Sequence, residues 1–384
     1  MKTVGIICEY NPFHNGHARQ LGIIRRLRGE NTAIVCLMSG NFVQRGAPAV
    51  YPKMIRAEAA LAAGADLVLE LPVTYALRSA EGFAAGGVEI LGTFCDELCF
   101  GAENADPCPL LALAKGLLSE EYRELLRAEL DRGLSFPAAR QRALERMGLQ
   151  HELVQTPNNI LGVEYCKAIL SSGTAMAPLP ITRGGDYHAT APERENPSAT
   201  ALRRLIGAGE SLGDYVPAEA AGLFAHAPVH TLAAGERAML ARLRTMTEGE
   251  FEALPFGSEG LWRKLMHGAR RYATLEEIAQ SVKSKRYTRT RIDRMILCAG
   301  LGITEAQLAQ SVPYTRILGF NDRGREVLRT AKEKTQLVNI GQNTGADHQR
   351  WEHRWGALYG LFAANAPEPA DAEEKLRVIY RKSV

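Results

Sequence analysis

The sequence predicts an α/β fold, a Rossmann-like parallel sheet with a helical insertion and a mostly helical C-terminal region, and three observations predict it. Between residues 3 and about 104, short β-rich runs alternate with amphipathic helical ones, as in a parallel sheet joined by crossover helices. Residues 106–150 then carry helical periodicity with many charges and read as an inserted helical lobe. Beyond about Tyr215 the strand signals fade and helical stretches dominate.

The elements follow in order. Strands are expected at 3–9, 33–38, 66–71 and 97–101, separated by helices at 16–27, 52–63 and 79–91. Pro52 opens the second helix, where its missing N–H costs nothing. After the lobe the α/β pattern resumes with a helix at 158–170, a fifth strand at 177–182 and a helix at 198–206 carrying Arg203 and Arg204. Pro72 and Gly101 mark the carboxyl ends of two strands, the edge at which open parallel sheets bind ligands. At 384 residues the chain exceeds what one core usually fills, so the division expected is 1–215 for a catalytic unit and 216–384 for a helical one.

Composition narrows the class. The 46 basic and 43 acidic residues leave a net charge of only +3, so nucleic-acid binding must be read from where the charges lie. The first residues lack the uninterrupted apolar stretch of a signal peptide, and no run of ~18 apolar residues could span a bilayer. Seven cysteines, an odd number, suit reduced thiols, and the expectation is a cytoplasmic protein without membrane contact. Cys95 and Cys99 have no second Cys or His pair at a usable spacing, and no metal site is expected there.

The chemistry concentrates in four places. The first strand runs into Glu9-Tyr10-Asn11-Pro12-Phe13-His14-Asn15-Gly16-His17, two imidazoles bracketing Asn-Gly at a helix start, where backbone N–H groups and the dipole favour phosphate. Imidazole N–H donors would add hydrogen bonds as charge builds in a transition state, and Gly16 would let a nucleotide approach the backbone. Ser198, Thr200 and Arg203 open a second helix after the fifth strand, as a second phosphate clamp or as a simple N-cap with a solvated arginine. Asn41, Gln44 and Arg45 lie in the loop after the second strand, at the same sheet edge as His14. Finally Arg263, Lys264, Arg270, Arg271, Lys283, Lys285, Arg286, Arg289, Arg291 and Arg294 crowd a helical stretch with Tyr272 and Tyr287 interleaved, against Glu276, Glu277 and Asp293. Such a strip pairs with RNA phosphates and stacks on bases, or is a solvated helix face.

The stretches GIICEYNPFHNGH at 5–17, MSGNFVQRGAPAVYPK at 38–53 and TPNNILGVEY at 156–165 closely resemble the bacterial tRNA(Met) cytidine acetate ligase family, over roughly the first 205 residues. The resemblance implies a nucleotidyltransferase (HUP-type) domain and an enzyme that uses ATP and acetate to make acetyl-adenylate. That family then acetylates N4 of the wobble cytidine of elongator tRNA(Met). The catalytic roles stay with His14, His17 and Arg203, the imidazole donors and the arginine of the second clamp. Matching by position, the resemblance puts ATP contacts on Ile7, Cys8, Glu9, Tyr10, Asn11, Pro12, Phe13, His14, Asn15, Gly16, His17, Ala18, Arg19 and Gln20, then on Gly101, Asn158 and Arg183, and the clamp residues Ser198 and Thr200 are expected to join them. Whether Asn158 or its neighbour Asn159 faces the nucleotide stays open.

Asn41, Gln44 and Arg45 are expected around the substrate carboxylate or the incoming cytidine, and Lys285, Arg286 and Arg289 on the tRNA. Acetate is already ionised near neutral pH, so the protein's task is positioning and charge stabilisation, with Mg2+ carried on the ATP phosphates. Two other functions remain open at this point: a small-molecule nucleotidyltransferase of cofactor metabolism, using the same histidines, and a non-catalytic RNA-binding protein.

Overall fold

The structure, a computed structural model, describes residues 1–103, 105–154, 157–182, 193–342 and 344–382. Its framework is an eight-stranded mixed sheet. β1 (Thr3–Cys8) lies at the centre and pairs in parallel with β2 (Ala33–Ser39) from Thr3↔Ala33 to Cys8↔Met38. β5 (Leu67–Leu71) continues beyond β2, while β6 (Glu97–Ala102) and β7 (Ala177–Thr182) extend the sheet from the other side of β1, all parallel. The chain therefore reverses its direction of growth at β1, which opens a crevice outside the carboxyl ends of β1 and β6. Between β2 and β5 a small antiparallel hairpin forms from β3 (Phe42–Val43) and β4 (Ala47–Pro48).

The central strands are buried on both faces, and their side chains alternate between two cores. Ala33, Val35 and Leu37 of β2 join one with Phe83, Phe100 and Tyr165, and Ile34, Cys36 and Met38 join the other with Tyr10 and Phe13. The expected crossover helices form at Asn15–Arg28, Lys53–Ala62 and Ala80–Leu91, and the later ones at Pro157–Ser172 and Ala199–Gly207. The charged lobe folds into the helices Pro107–Leu118, Glu120–Asp131 and Phe136–Arg146.

The C-terminal part is mostly helical but returns to the sheet. Helices from Leu232–Thr245 to Arg289–Leu301 pack with Asp347–Tyr359 around a third core that also takes in Phe42 of the hairpin. β8 (Tyr314–Phe320) then pairs antiparallel with β5, and β9 (Gln336–Asn339) and β10 (Ile379–Tyr380) pair in parallel with β8. Sequence reasoning saw none of these three strands, so the sheet extends past residue 215 into the part read as helical. The reason is Arg316, which interrupts the apolar run of β8. Its charge is met by Glu70 (3.0 Å) on β5 and Glu373 (3.0 Å), partners distant in sequence.

Those groups belong to one buried cluster. Lys53 Nζ bonds Glu70 at 2.7 Å and also Glu373, Asn41 Nδ2 approaches Glu373 at 3.5 Å, and Glu352 accepts the Val73 N–H at 2.8 Å. Burial alone would raise the Glu70 carboxyl, but Lys53 and Arg316 outweigh it and hold it below its ordinary range. Glu352 is pushed up to about 7, by burial and then by the charge of Glu70. Among the described residues no helix is long and apolar enough to cross a membrane.

Candidate active site

A cavity of about 300 Å3 opens at the carboxyl ends of β1 and β6. Its floor is the end of β1, where Ile7, Cys8, Glu9, Tyr10 and Asn11 lead into the helix Asn15–Arg28. His14 is that helix's N-cap, and its Nδ1 accepts the Gly16 N–H at 3.1 Å. His17 Nδ1 reciprocally accepts the His14 N–H at 3.2 Å, and the two rings stack with centroids 3.7 Å apart. This is a capping box in which imidazoles replace the usual hydroxyl and carboxylate. A neutral imidazole that accepts at Nδ1 carries its proton on Nε2, so the cap fixes both tautomers as Nε2–H donors.

The backbone amides of the same turn are not bare, contrary to the sequence expectation. The Asn15 N–H donates to Tyr215 O at 3.0 Å, and the Gly16 N–H is taken by His14 itself. What remains for an anion is the helix dipole and the side chains. Gly16 also differs from expectation: a Cβ there would overlap Asn196 Oδ1 and lie 3.0 Å from His14 Cε1, so the glycine admits the protein's own loop against the cap.

Across the cavity stands the start of the helix Ala199–Gly207. Ser198 caps it through Oγ, which accepts the Ala201 N–H at 3.1 Å. Arg203 donates to Asn11 O at 2.8 Å and to Thr200 Oγ1 at 3.1 Å, which ties this helix to the loop that follows β1. The structure thus brings together His14, His17, Ser198, Thr200 and Arg203, with Gly16, Arg19, Gln20, Gly101, Gln44 and Arg45 lining the same cavity.

Several expected contacts do not reach the cavity. Pro12 and Phe13 turn into the core behind it, and Phe13 packs on Tyr10 at 4.8 Å. Asn15 Nδ2 donates to Arg194 O (2.9 Å) and Asp214 O (3.0 Å), holding the facing loops, and Ala18 is absent from the lining. Asn41 belongs to the buried Lys53–Glu373 cluster, its Nδ2 toward Glu373 and its side chain outside the cavity lining. Asn159 is committed to the Glu103 N–H at 3.1 Å; the side chain of Asn158 and all of Arg183 lie outside the described residues.

The basic strip is partly spent on the fold. Arg289 is held by Glu276 (2.6 Å) and Asp293 (2.7 Å), and Arg286 by Glu259 (2.6 Å). Tyr287 is buried with its hydroxyl on Glu259 at 2.9 Å, so its ring cannot stack on a base. Lys283 and Lys285, like Arg263, Lys264, Arg270 and Arg271, are exposed.

Sequence reasoning missed other residues of the site. Phe83, Phe100, Leu161, Tyr165 and Ile181 form an apolar side of the cavity, and nothing in the local sequence singled them out. Behind the floor, Arg56 is wholly buried and donates to Tyr51 O (2.9 Å), Glu9 O (2.6 Å), Ser39 O (3.1 Å) and Gly40 O. It bolts the ends of β1 and β2 together, although burial depresses its pKa. Its place inside the helix Lys53–Ala62 left no signal that it pointed inward.

Imidazole donors, hydroxyls and a guanidinium that converge where a parallel sheet reverses its growth suit a polyphosphate, and they place this protein among the nucleotidyltransferases. The sequence model of the family described as HIGH Nucleotidyl Transferase matches residues 1–373. The chain is 36% identical over 366 residues to the tRNA(Met) cytidine acetate ligase of Acetivibrio thermocellus, covering 88% of this chain and 87% of that one. With the enzyme of that name from Geobacillus sp. (strain WCH70) it shares 33% identity over 391 residues and 96% of each chain. The crystal structure of apo Thermotoga maritima TmcAL superposes over the whole of both chains with a TM-score of 0.90 at 30% identity, and the same protein bound with alpha-thio ATP with 0.87. The chain belongs to the HIGH nucleotidyltransferase family and, within it, to the tRNA(Met) cytidine acetate ligases.

Proposed function

We propose that this chain is an ATP-dependent ligase that activates acetate as acetyl-adenylate and acetylates N4 of the wobble cytidine of elongator tRNA(Met) in the cytoplasm. The observation that carries the reading is the pair of stacked imidazoles on the helix cap, facing Ser198, Thr200 and Arg203 across one cavity in a chain of this family. Acetate oxygen attacks the α-phosphorus and pyrophosphate leaves. The N4 amine then attacks the acyl carbon and AMP leaves. In the first step charge grows on the phosphate oxygens, where the Nε2–H groups of His14 and His17 and the Arg203 guanidinium act as donors.

Asn158 and Arg183 complete the ATP contacts, and Gln44 and Arg45 face the carboxylate or the cytidine. Mg2+ travels with the ATP phosphates, since Glu9 is the one carboxylate among the described lining residues and a dedicated cation cage needs more. The free cysteines fit a reducing compartment. ATP–pyrophosphate exchange that depends on acetate, and not on propionate or amino acids, is the expected result. Exchange indifferent to the carboxylate would point to another acceptor and sink the reading.

The tRNA is placed on the helical part beyond residue 215, on the exposed cations around Lys283 and Lys285. The ion-paired Arg289 is a poor probe of it, because its loss would also unfasten Glu276 and Asp293. Replacing Lys283 and Lys285 together by alanine is expected to weaken tRNA binding and to flatten its log–log salt dependence by about 0.7–0.9 per lost phosphate contact. Acetate-dependent exchange without tRNA should not change. An unaltered salt slope would mean that the strip is a solvated face.

A further inference from the structure

The hairpin that carries Gln44 and Arg45 to the cavity is held from two sides. On the sheet side, Glu9 Oε1 accepts the Gln44 N–H at 2.7 Å. On the helical side, Arg294 Nη1 donates to the carbonyl of the same residue at 3.3 Å. Phe42, at the root of the hairpin, is fully buried among the C-terminal helices against Tyr359 (5.7 Å) and Phe362 (6.0 Å). Gly46, at its tip, has φ +81°, and a Cβ there would meet Asp293 C at 2.5 Å and Arg294 Cα at 2.8 Å. The tip of the hairpin thus lies directly on the helix Arg289–Leu301.

Arg294 is an unusual residue to find in that position. It is 7% exposed, its guanidinium lies 5.0 Å from the Phe256 ring, and among the described residues no carboxylate pairs with it; its neighbour Asp293 bonds Arg289 at 2.7 Å. Its Nε is buried and has no hydrogen-bond partner among the described residues. Burial pushes its pKa down. A buried cation without an ion-pair partner is costly to a fold, and an apolar side chain of the same size would serve packing better. What the arginine adds is its charge beside the Phe256 ring and the donor to Gln44 O, and only the donor reaches the hairpin.

We infer that Arg294 is a positioning residue for the cavity: with Glu9 it clamps the backbone N–H and C=O of Gln44, the two peptide groups that flank it, and so sets where Gln44 and Arg45 stand against the bound substrates. The kinetic readout rests on the function proposed above; the clamp itself does not. Through this contact the helix that begins with the basic strip reaches the wall of the ATP cavity, although Arg294 touches no substrate.

Arg294→Met removes the donor and keeps the bulk, and it is expected to leave the unfolding midpoint equal to or above that of the wild type. Hydrogen exchange over residues 42–48 should accelerate while the helix Lys53–Ala62 stays protected. In acetate-dependent exchange the KM for acetate should rise and kcat/KM fall by about 10- to 100-fold, the scale of a displaced positioning group. Arg294→Lys, which retains a donor near the same carbonyl, should recover part of the loss. Wild-type protection over 42–48 in Arg294→Met overturns the inference, whatever the carboxylate specificity proves to be. So does a loss of activity that merely tracks the unfolding midpoint in both variants. If the wild type shows no acetate dependence, the proposed function fails, and hydrogen exchange over 42–48, measured without substrate, still decides the role of Arg294.

Discussion

His17→Ala is expected to lower acetyl-adenylate formation by about 10²-fold or more, the scale of losing one donor to a charge that develops in the transition state. Two consequences of the substitution have to be separated. One is the loss of an imidazole donor from the cavity lining. The other is the loss of the cap bond, because His17 Nδ1 accepts the His14 N–H at 3.2 Å and its ring stacks on His14 at 3.7 Å. Losing a cap typically costs ~1 kcal/mol, too little to unfold a chain with cores on both faces of its sheet. Circular dichroism should therefore show a folded protein, while ATP–pyrophosphate exchange is nearly abolished. A variant that exchanges like the wild type would remove the imidazole from the mechanism.

The parts of the fold legible in the sequence were those fixed by local pattern. β7 falls on the expected residues, and the helix Asn15–Arg28 differs from its expected span by one residue at each end. The two-histidine loop and the Ser198 cap were legible because each is a short motif at a helix start. The illegible parts depend on residues far apart in the chain. β8 was hidden by Arg316, a charge that makes sense only beside Glu70 and Glu373. The backbone amides after His14 were expected to be free, but Tyr215 closes one of them from a segment with no local signal. The basic strip looked uniform in sequence. In space Arg289 and Arg294 face the protein, whereas Lys283 and Lys285 face water, since a turn separates them after the helix Leu275–Val282.

The largest stability effect is expected from Arg316→Met, which should cost about 3–5 kcal/mol in urea unfolding, the range for removing one partner of a buried ion pair. Arg316 Nη1 lies 3.0 Å from both Glu70 Oε2 and Glu373 Oε1, and all three side chains are about 3% exposed or less. Without it, Lys53 alone faces Glu70 and Glu373, with Glu352 close by. The deficit should also depend on pH. Glu352 is raised to about 7 in the folded protein, above its value in an unfolded chain, so the native state holds the extra proton in that window. Its contribution to stability is therefore complete at low pH, falls as pH rises toward 7, and is level above it. Arg316 is one of the charges that pulls this carboxyl down, so removing it lets the Glu352 and Glu70 values climb and carries the fall to higher pH. The gap between variant and wild type should then be wider near about pH 9 than near about pH 6. A pH-independent gap would mean that Arg316 acts by packing alone, and a negligible gap would mean that Lys53 suffices to balance the cluster.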